Sequence, residues 1–407
     1  MRTATRQLVW LSVLSLALAG GAAACAKKKE SGKKEGGTAG KVGEGEDGGD
    51  GRAQSKPRQG GQIVLPAGSG AGSSEPRYLN PILETRFSRA NALIFEGLVG
   101  LSSSLEPVPV LAESWQSSPD GKKLTFKLRS GVKWQDGKPF TSKDVQFTFQ
   151  SIRDTTAPTL WKTYFTAVDK LEAPDPSTVV VTYSRPYAPA LIAWTVGIIP
   201  AHVYGGGQLV DSKGNKEPVG TGPFRLARWE PGKQMLFEAN RAWWNGRPNL
   251  DQVTLRVDIQ DPLKALRAGE VDFTQVPDVA AWSTEAQVPD FRADFEVATS
   301  HGSLFRTLGW NLQKPPFDDK RVRLALTHAL NRSRVIEDVF LSQAQAMSAP
   351  LFPNMIGADP SIAPYPFDLG KASALLDEAG KKAGPNGRFP VQVITVASQK
   401  TATNEEM

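Results

Sequence analysis

The chain carries few groups able to do bond chemistry. Three of its 407 residues are histidine (His202, His301 and His328) and one is cysteine, Cys25. No second histidine stands at helical ligand spacing from another, and no HExxH occurs, so a zinc-hydrolase helix is not encoded. The three histidines read as surface or packing residues. Neither a GxSxG nucleophile elbow nor a P-loop is present. Gly220-Thr221-Gly222-Pro223 is glycine-rich but lacks the lysine and the following helix that cradle a phosphate. It reads as a backbone turn where the chain crosses between lobes. The 42 acidic residues are scattered, and no pair can be nominated for acid–base work. Ten tryptophans and eighteen phenylalanines are the better lead. Trp243-Trp244 follows a strand and reads as packing. Trp161 and Tyr164 lie on a loop and are placed to line an apolar cleft of the kind small ligands need.

Cys25 has a distinctive setting. Arg2 and Arg6 give a short positive region, residues 8–19 are apolar apart from two serines, and 20–24 are small only. This order predicts a secretory signal peptide over 1–24. Its apolar run covers ~18 Å of helix against a hydrocarbon core of ~30 Å, so it reads as a cleaved signal rather than a span. Ala22-Ala23-Ala24-Cys25 resembles a lipobox, with alanine where leucine is usual three residues before the cysteine. Cys25 is therefore expected to be lipidated and to anchor the chain at a membrane. Residues 26–60 hold ten glycines, nine Lys/Arg and six Asp/Glu, with only Ala26, Ala39, Val42 and Ala53 apolar. Such a segment buries too little surface to fold and reads as a disordered tether. The net charge of +6 is slight for this length and points to no nucleic-acid partner.

The 347 residues after the tether suffice for two lobes with real cores. Residues 62–65 predict a strand. After the Asp120-Gly121 turn, Leu124, Phe126 and Leu128 alternate with polar residues, which predicts a half-buried strand with 131–134 as its hairpin partner. A capping-box-like start at 141–144 opens a helix with Val145, Thr148, Phe149 and Ile152 on one face. Strands follow at 179–183, 224–229, 233–239, 253–259 and 271–273. Asp261 caps a short helix with Pro262 at its first position and Gly269 at its stop. Asp318 is expected to cap a helix burying Val322, Ala325, Leu326, Ala329 and Leu330. Asp368 is expected to cap another, burying Ala372, Leu375, Leu376 and Ala379 and ending at Gly380. A last strand is expected at 391–396. The mixture is α/β with several sheets.

Ordered motifs carry a family resemblance. They are Phe95-Glu96-Gly97-Leu98-Val99, Leu111-Ala112-Glu113-Ser114-Trp115, the stretch from Asp120 to Asp144, Val219-Gly220-Thr221-Gly222-Pro223-Phe224, Ala268-Gly269-Glu270-Val271-Asp272, and Asn311-Leu312 with Pro315-Pro316-Phe317-Asp318-Asp319 before Arg321. Over about residues 61–403 the chain resembles the family 5 extracellular solute-binding proteins, the oligopeptide- and dipeptide-binding components of ABC importers. The resemblance implies a two-lobed, clamp-like periplasmic-binding-protein fold of type II that closes on its ligand. Lobe I would take 61–98 and 187–300, an inserted subdomain 99–186, and lobe II 301–407. Relatives continue beyond position 407, so lobe II is expected to be incomplete, with an open sheet edge and weak binding.

The same resemblance implies a non-enzymatic, cofactor-free monomer. It would capture peptides outside the cytoplasmic membrane by strand-like backbone hydrogen bonds and deliver them to a permease. Glu84, Thr85, Arg86 and Phe87 would form one ligand-facing loop, and Trp161 and Tyr164 another. Alternative ligands within the family are a nickel chelate, haem, an oligosaccharide or an opine. Remote alternatives are a hydrolase and a sensory lipoprotein.

Overall fold

Period-two alternation of apolar residues builds the sheets, as the pleat requires. The computed structural model describes residues 24–27, 59–68, 75–84, 88–154, 156, 159–276, 281–298, 306–349, 351–352, 355, 357–359, 361–385 and 387–391. Strands β1 (Ala24–Lys27), β2 (Gln62–Pro66), β3 (Val99–Leu101), β4 (Pro107–Pro109), β5 (Ala112–Ser117) and β6 (Lys123–Leu128) come first in the chain. Then follow β7 (Val168–Asp175), β8 (Thr178–Tyr183), β9 (Phe224–Glu230), β10 (Gln234–Ala239), β11 (Gln252–Arg256), β12 (Phe273–Gln275) and β13 (Phe295–Ala298).

The described chain divides into two units. The first takes residues up to 276 and 286–298; the second takes 281–285 and 306 onward. Residues 281–285 thus cluster with the second unit, whereas the sequence reading assigns everything to 300 to lobe I.

Within the first unit, β2, β11, β10 and β9 form one sheet, with β2 parallel to β11 and the other pairs antiparallel. Met235, Phe237, Val253 and Leu255 fill its buried face. An antiparallel sheet of order β5-β6-β8-β7 lies between residues 112 and 183. Leu124, Phe126, Leu128, Val179, Val181 and Tyr183 alternate inward from it. The helix Ser142–Asp154 covers β7 and β8, and Val145, Thr148, Phe149 and Ile152 are all buried. Its start is fixed by the Asp144 carboxylate, which accepts the Thr141 amide at 2.9 Å. Trp194 closes this core, edge-on to Phe126 at 5.6 Å and to Phe165 at 5.0 Å between ring centres. A fully buried aromatic of this size contributes on the order of 3 kcal/mol.

The stem of this subdomain is backbone on backbone. The Val99 amide donates to the Trp194 carbonyl at 3.2 Å, and the Ile198 amide to the Glu96 carbonyl at 2.9 Å. The 220–223 loop lies against the end of the helix Arg89–Ile94: the Gly222 amide donates to the Ile94 carbonyl at 2.8 Å, and a Cβ at Gly220 would sit 1.9 Å from that oxygen. This loop therefore seals the stem inside the first unit; it does not carry the chain between lobes. Gln135 of the subdomain joins it there, donating to the Gly222 and Phe224 carbonyls and accepting the Gly220 amide.

β1 lies between β12 and β13, antiparallel to both. It falls at the start of the segment that composition assigns to a free tether; the rest of that segment, to residue 58, lies outside the described residues.

In the second unit the helices Lys320–Ala329 and Leu369–Glu378 pack on each other. Asp368 caps the latter by accepting the Lys371 amide, and Gly380 ends it at φ 73°. The former is capped by Asp319, not Asp318, because Asp318 still belongs to the preceding turn, its amide bonded to the Lys314 carbonyl. His328 takes the buried place expected of Ala329, which is exposed. The reason is a partner the helix pattern does not contain: the His328 Nδ1–H donates to the Pro366 carbonyl at 2.8 Å. Residues 131–134 do not pair with β6 either. β5 and β8 occupy both its edges, and Lys133 bridges only to Pro139. The strand expected at 391–396 lies outside the described residues beyond Val391.

The stem predicts a sharp contrast between glycines. Gly220→Ala must move the Ile94 carbonyl and is expected to cost about 3 kcal/mol or more in urea unfolding, as severe overpacking does. Gly207→Ala, with nothing within 4 Å of the added carbon, is expected to change stability by less than about 0.5 kcal/mol.

Candidate ligand-binding site

The 161–164 turn meets Pro81 in the first unit. Trp161 opens the one-turn helix Trp161–Tyr164, and its indole N–H donates to the Pro81 carbonyl at 2.9 Å. Pro81 stands three residues before Glu84, so this bond ties the 161–164 turn to the base of the 84–87 loop. The Trp161 and Tyr164 rings lie 5.8 Å apart at 48°. Trp161 is half-buried; Tyr164 is 38% and Leu160 63% exposed. Trp161 and Tyr164 form an aromatic pair in which the Trp161 indole N–H is already satisfied by Pro81.

Glu84 is anchored at its own base. Its amide donates to the Asn80 carbonyl at 3.0 Å, and its Oε2 accepts the Arg77 amide at 3.0 Å. Thr85, Arg86 and Phe87 lie outside the described residues. At Cys25 only the backbone is described, as part of β1.

Beneath Pro81 is a fully buried amide pair. Asn80 Nδ2 donates to Asn215 Oδ1 at 3.0 Å, while Asn80 Oδ1 accepts the Ile82 and Leu83 amides at 2.9 and 3.3 Å. Asn215 Nδ2 in turn donates to the Leu209 and Val210 carbonyls. The Tyr204 hydroxyl, donating to the Gly214 carbonyl at 2.8 Å, closes the set, and burial holds its proton well above the usual phenol range. Polar groups in such a dry setting fix one geometry because each unmade bond is costly. The Asn80-Pro81 dipeptide is a legible turn signal. Its partner, 135 residues away, carries no local signal.

His202 and His328 each have a partner within their own unit. His202 bonds Asp136 at 2.6 Å on a half-exposed surface, holding the Asp136 carboxyl below its usual range against the opposing effect of burial. His328 packs in the second unit, and His301 lies outside the described residues. Among the described residues no group of three or more His, Cys, Asp or Glu is arranged to hold a metal ion, and no helix is long and apolar enough to cross a membrane.

Asn80→Ala would leave two amides and the Asn215 carbonyl oxygen unpaired. At roughly 1–3 kcal/mol per orphaned group, partly relieved by relaxation, a loss of about 2–4 kcal/mol is expected from urea unfolding.

This architecture has known counterparts. The family model for bacterial extracellular solute-binding proteins, family 5 (middle), matches residues 106–407. Di/tripeptide-binding protein 2 of Pseudomonas aeruginosa is 33% identical over 301 residues, covering 67% of this chain and 55% of the relative. Among solved structures, the periplasmic binding protein DppA of Helicobacter pylori in complex with peptide STSA has 28% identity and a TM-score of 0.61, covering 81% of this chain and 68% of that one. NikZ of Campylobacter jejuni in complex with Ni(L-His) has 25% identity and a TM-score of 0.64, covering 80% and 64%. The chain spans less than two thirds of the length of the curated relatives it matches. With a matched model over most of its length, the chain belongs to the family 5 bacterial extracellular solute-binding proteins.

Proposed function

We propose that the chain is the substrate-binding component of an ABC importer, capturing di- or oligopeptides outside the cytoplasmic membrane and passing them to a permease without bond chemistry. The observation that carries this reading is membership of a family whose similar members include a di/tripeptide-binding protein and a structure with bound peptide. The partly exposed Trp161–Tyr164 pair supports it, because aromatic surface beside a hydrogen-bonded backbone turn accepts side chains of varied shape. Glu84, Thr85, Arg86 and Phe87 are assigned to a second ligand-facing loop, with lobe boundaries proposed at 98/99, 186/187 and 300/301.

A chelated nickel ion is the second reading, favoured by the likeness to NikZ with Ni(L-His). Mass spectrometry of ligands co-purified with the full-length protein separates the two. Peptides are expected; a metal chelate or haem with no peptide would overturn the peptide assignment. Trp161→Ala is expected to weaken peptide binding about tenfold by calorimetry, the scale of one lost aromatic contact.

The leader and Cys25 complete the proposal. Cleavage before Cys25 and lipidation of its thiol would hold the protein at the membrane, since acyl chains contribute ~0.8 kcal/mol per buried CH2. The protein would act there as a monomer, with Cys25 carried on β1 rather than on a free tether. Cys25→Ser is expected to move the protein from the membrane fraction to the soluble one on fractionation, and retention at the membrane would place the anchor elsewhere.

A further inference from the structure

Arg89 is a cation without an acid. It is half-buried and opens the helix Arg89–Ile94, two residues after the 84–87 loop. Its Nη1 donates to the Pro66 carbonyl at 2.5 Å and to the Gly68 carbonyl at 3.2 Å. Those two bonds use both Nη1 hydrogens. The Nε–H and both Nη2–H groups have no partner among the described residues, and no carboxylate there reaches the guanidinium. Arginines taken out of water are ordinarily paired. The acids of neighbouring segments are committed elsewhere. Glu84 accepts the Arg77 amide, and Asp258 and Glu270 serve Arg256, whose Nε donates to Asp258 at 2.7 Å. Pro66 is the last residue of β2, which runs parallel to β11, so Arg89 is held at the carboxyl ends of both strands. The carboxyl ends of parallel strands are where α/β sheets take their ligands.

We propose that the free Nε/Nη2 edge of Arg89 grips a carboxylate of the bound ligand, either its terminal carboxylate or an acidic side chain. This grip rests on the peptide-binding reading above and supplies a group that would orient the peptide. The edge presents two parallel N–H donors that match the two oxygens of a carboxylate, and such charge-assisted pairs are stronger than neutral ones. The Pro66 and Gly68 carbonyls fix the plane of the guanidinium beforehand, so little side-chain freedom is lost on binding. A lysine at this position would keep the charge but not the fork.

The Arg89 Nε–H resonance of the full-length protein, assigned by through-bond correlation, reads the grip without any substitution. Trialanine and sodium acetate are each expected to shift it saturably, and trialanine amide to leave it in place. Ala-Glu-Ala amide separates the two sources: a shift admits an acidic side chain to the grip, and no shift restricts it to the terminal carboxylate. The Arg256 Nε–H, already bonded to Asp258, is the control and should stay still. By calorimetry trialanine should bind the parent about tenfold or more tighter than its amide, a preference that falls below about threefold in Arg89→Gln. A resonance that moves with neither acetate nor trialanine overturns the proposal whether or not the Gln variant folds, as does an equal shift with trialanine amide. Trialanine that binds with the resonance unmoved sinks the role of Arg89 alone. A shift with acetate but no binding of any of the peptides sinks the peptide reading and leaves the carboxylate grip standing.

Discussion

A Cβ on Gly220 would lie 1.9 Å from the Ile94 carbonyl oxygen, the same oxygen that accepts the Gly222 amide. No side chain fits into that contact, so the 220–223 loop and the end of the helix Arg89–Ile94 approach as bare backbone. Much of the first unit depends on this approach. It brings Gln135 within reach of the Gly220, Gly222 and Phe224 backbone, and it sets Trp243 and Trp244 over Glu96. With both crossings of the stem pinned, the subdomain's core around Trp194 is fixed relative to residues 75–84. The Trp161 indole can then find the Pro81 carbonyl.

Carboxylates and amides, rather than ion pairs, hold the long connections. Glu75 accepts the Trp229 indole N–H at 2.6 Å and the Gly232 amide, as Glu96 accepts two indoles. Asn80 and Asn215 do the same work between loops. The ion pairs lie toward the surface, as Arg225–Glu238 and Lys170–Glu172 illustrate, and exposed pairs of this kind contribute little stability. Acceptors aimed at indole and backbone N–H groups give directional, salt-insensitive joints.

Periodicity made the elements readable. The alternation of Leu124, Phe126 and Leu128, the face of Val145, Phe149 and Ile152, the Asp261-Pro262 start and the Gly269 and Gly380 stops are all local consequences of which face a residue turns to the core. The failures were local too. Asp319 displaced Asp318 because the turn before it claims the Asp318 amide, and His328 displaced Ala329 because Pro366 offers a carbonyl on that side. Trp161 and Tyr164 were legible as candidates from residue type and the family pattern; the residue that orients Trp161 was not.

By itself the sequence determined that this chain is α/β, poor in histidine and cysteine, and similar throughout its globular part to one family. Each of these rests on composition, spacing or period. Only the tertiary structure decided which groups meet. The Trp161–Pro81, Asn80–Asn215 and Glu96–Trp244 pairs are separated by 80, 135 and 148 residues. Every residue but proline offers an amide and every residue a carbonyl, so a single hydrogen-bonding side chain has hundreds of possible partners along the chain. The choice among them is made by where the packed sheets and the bare glycine contact at the stem bring the backbone.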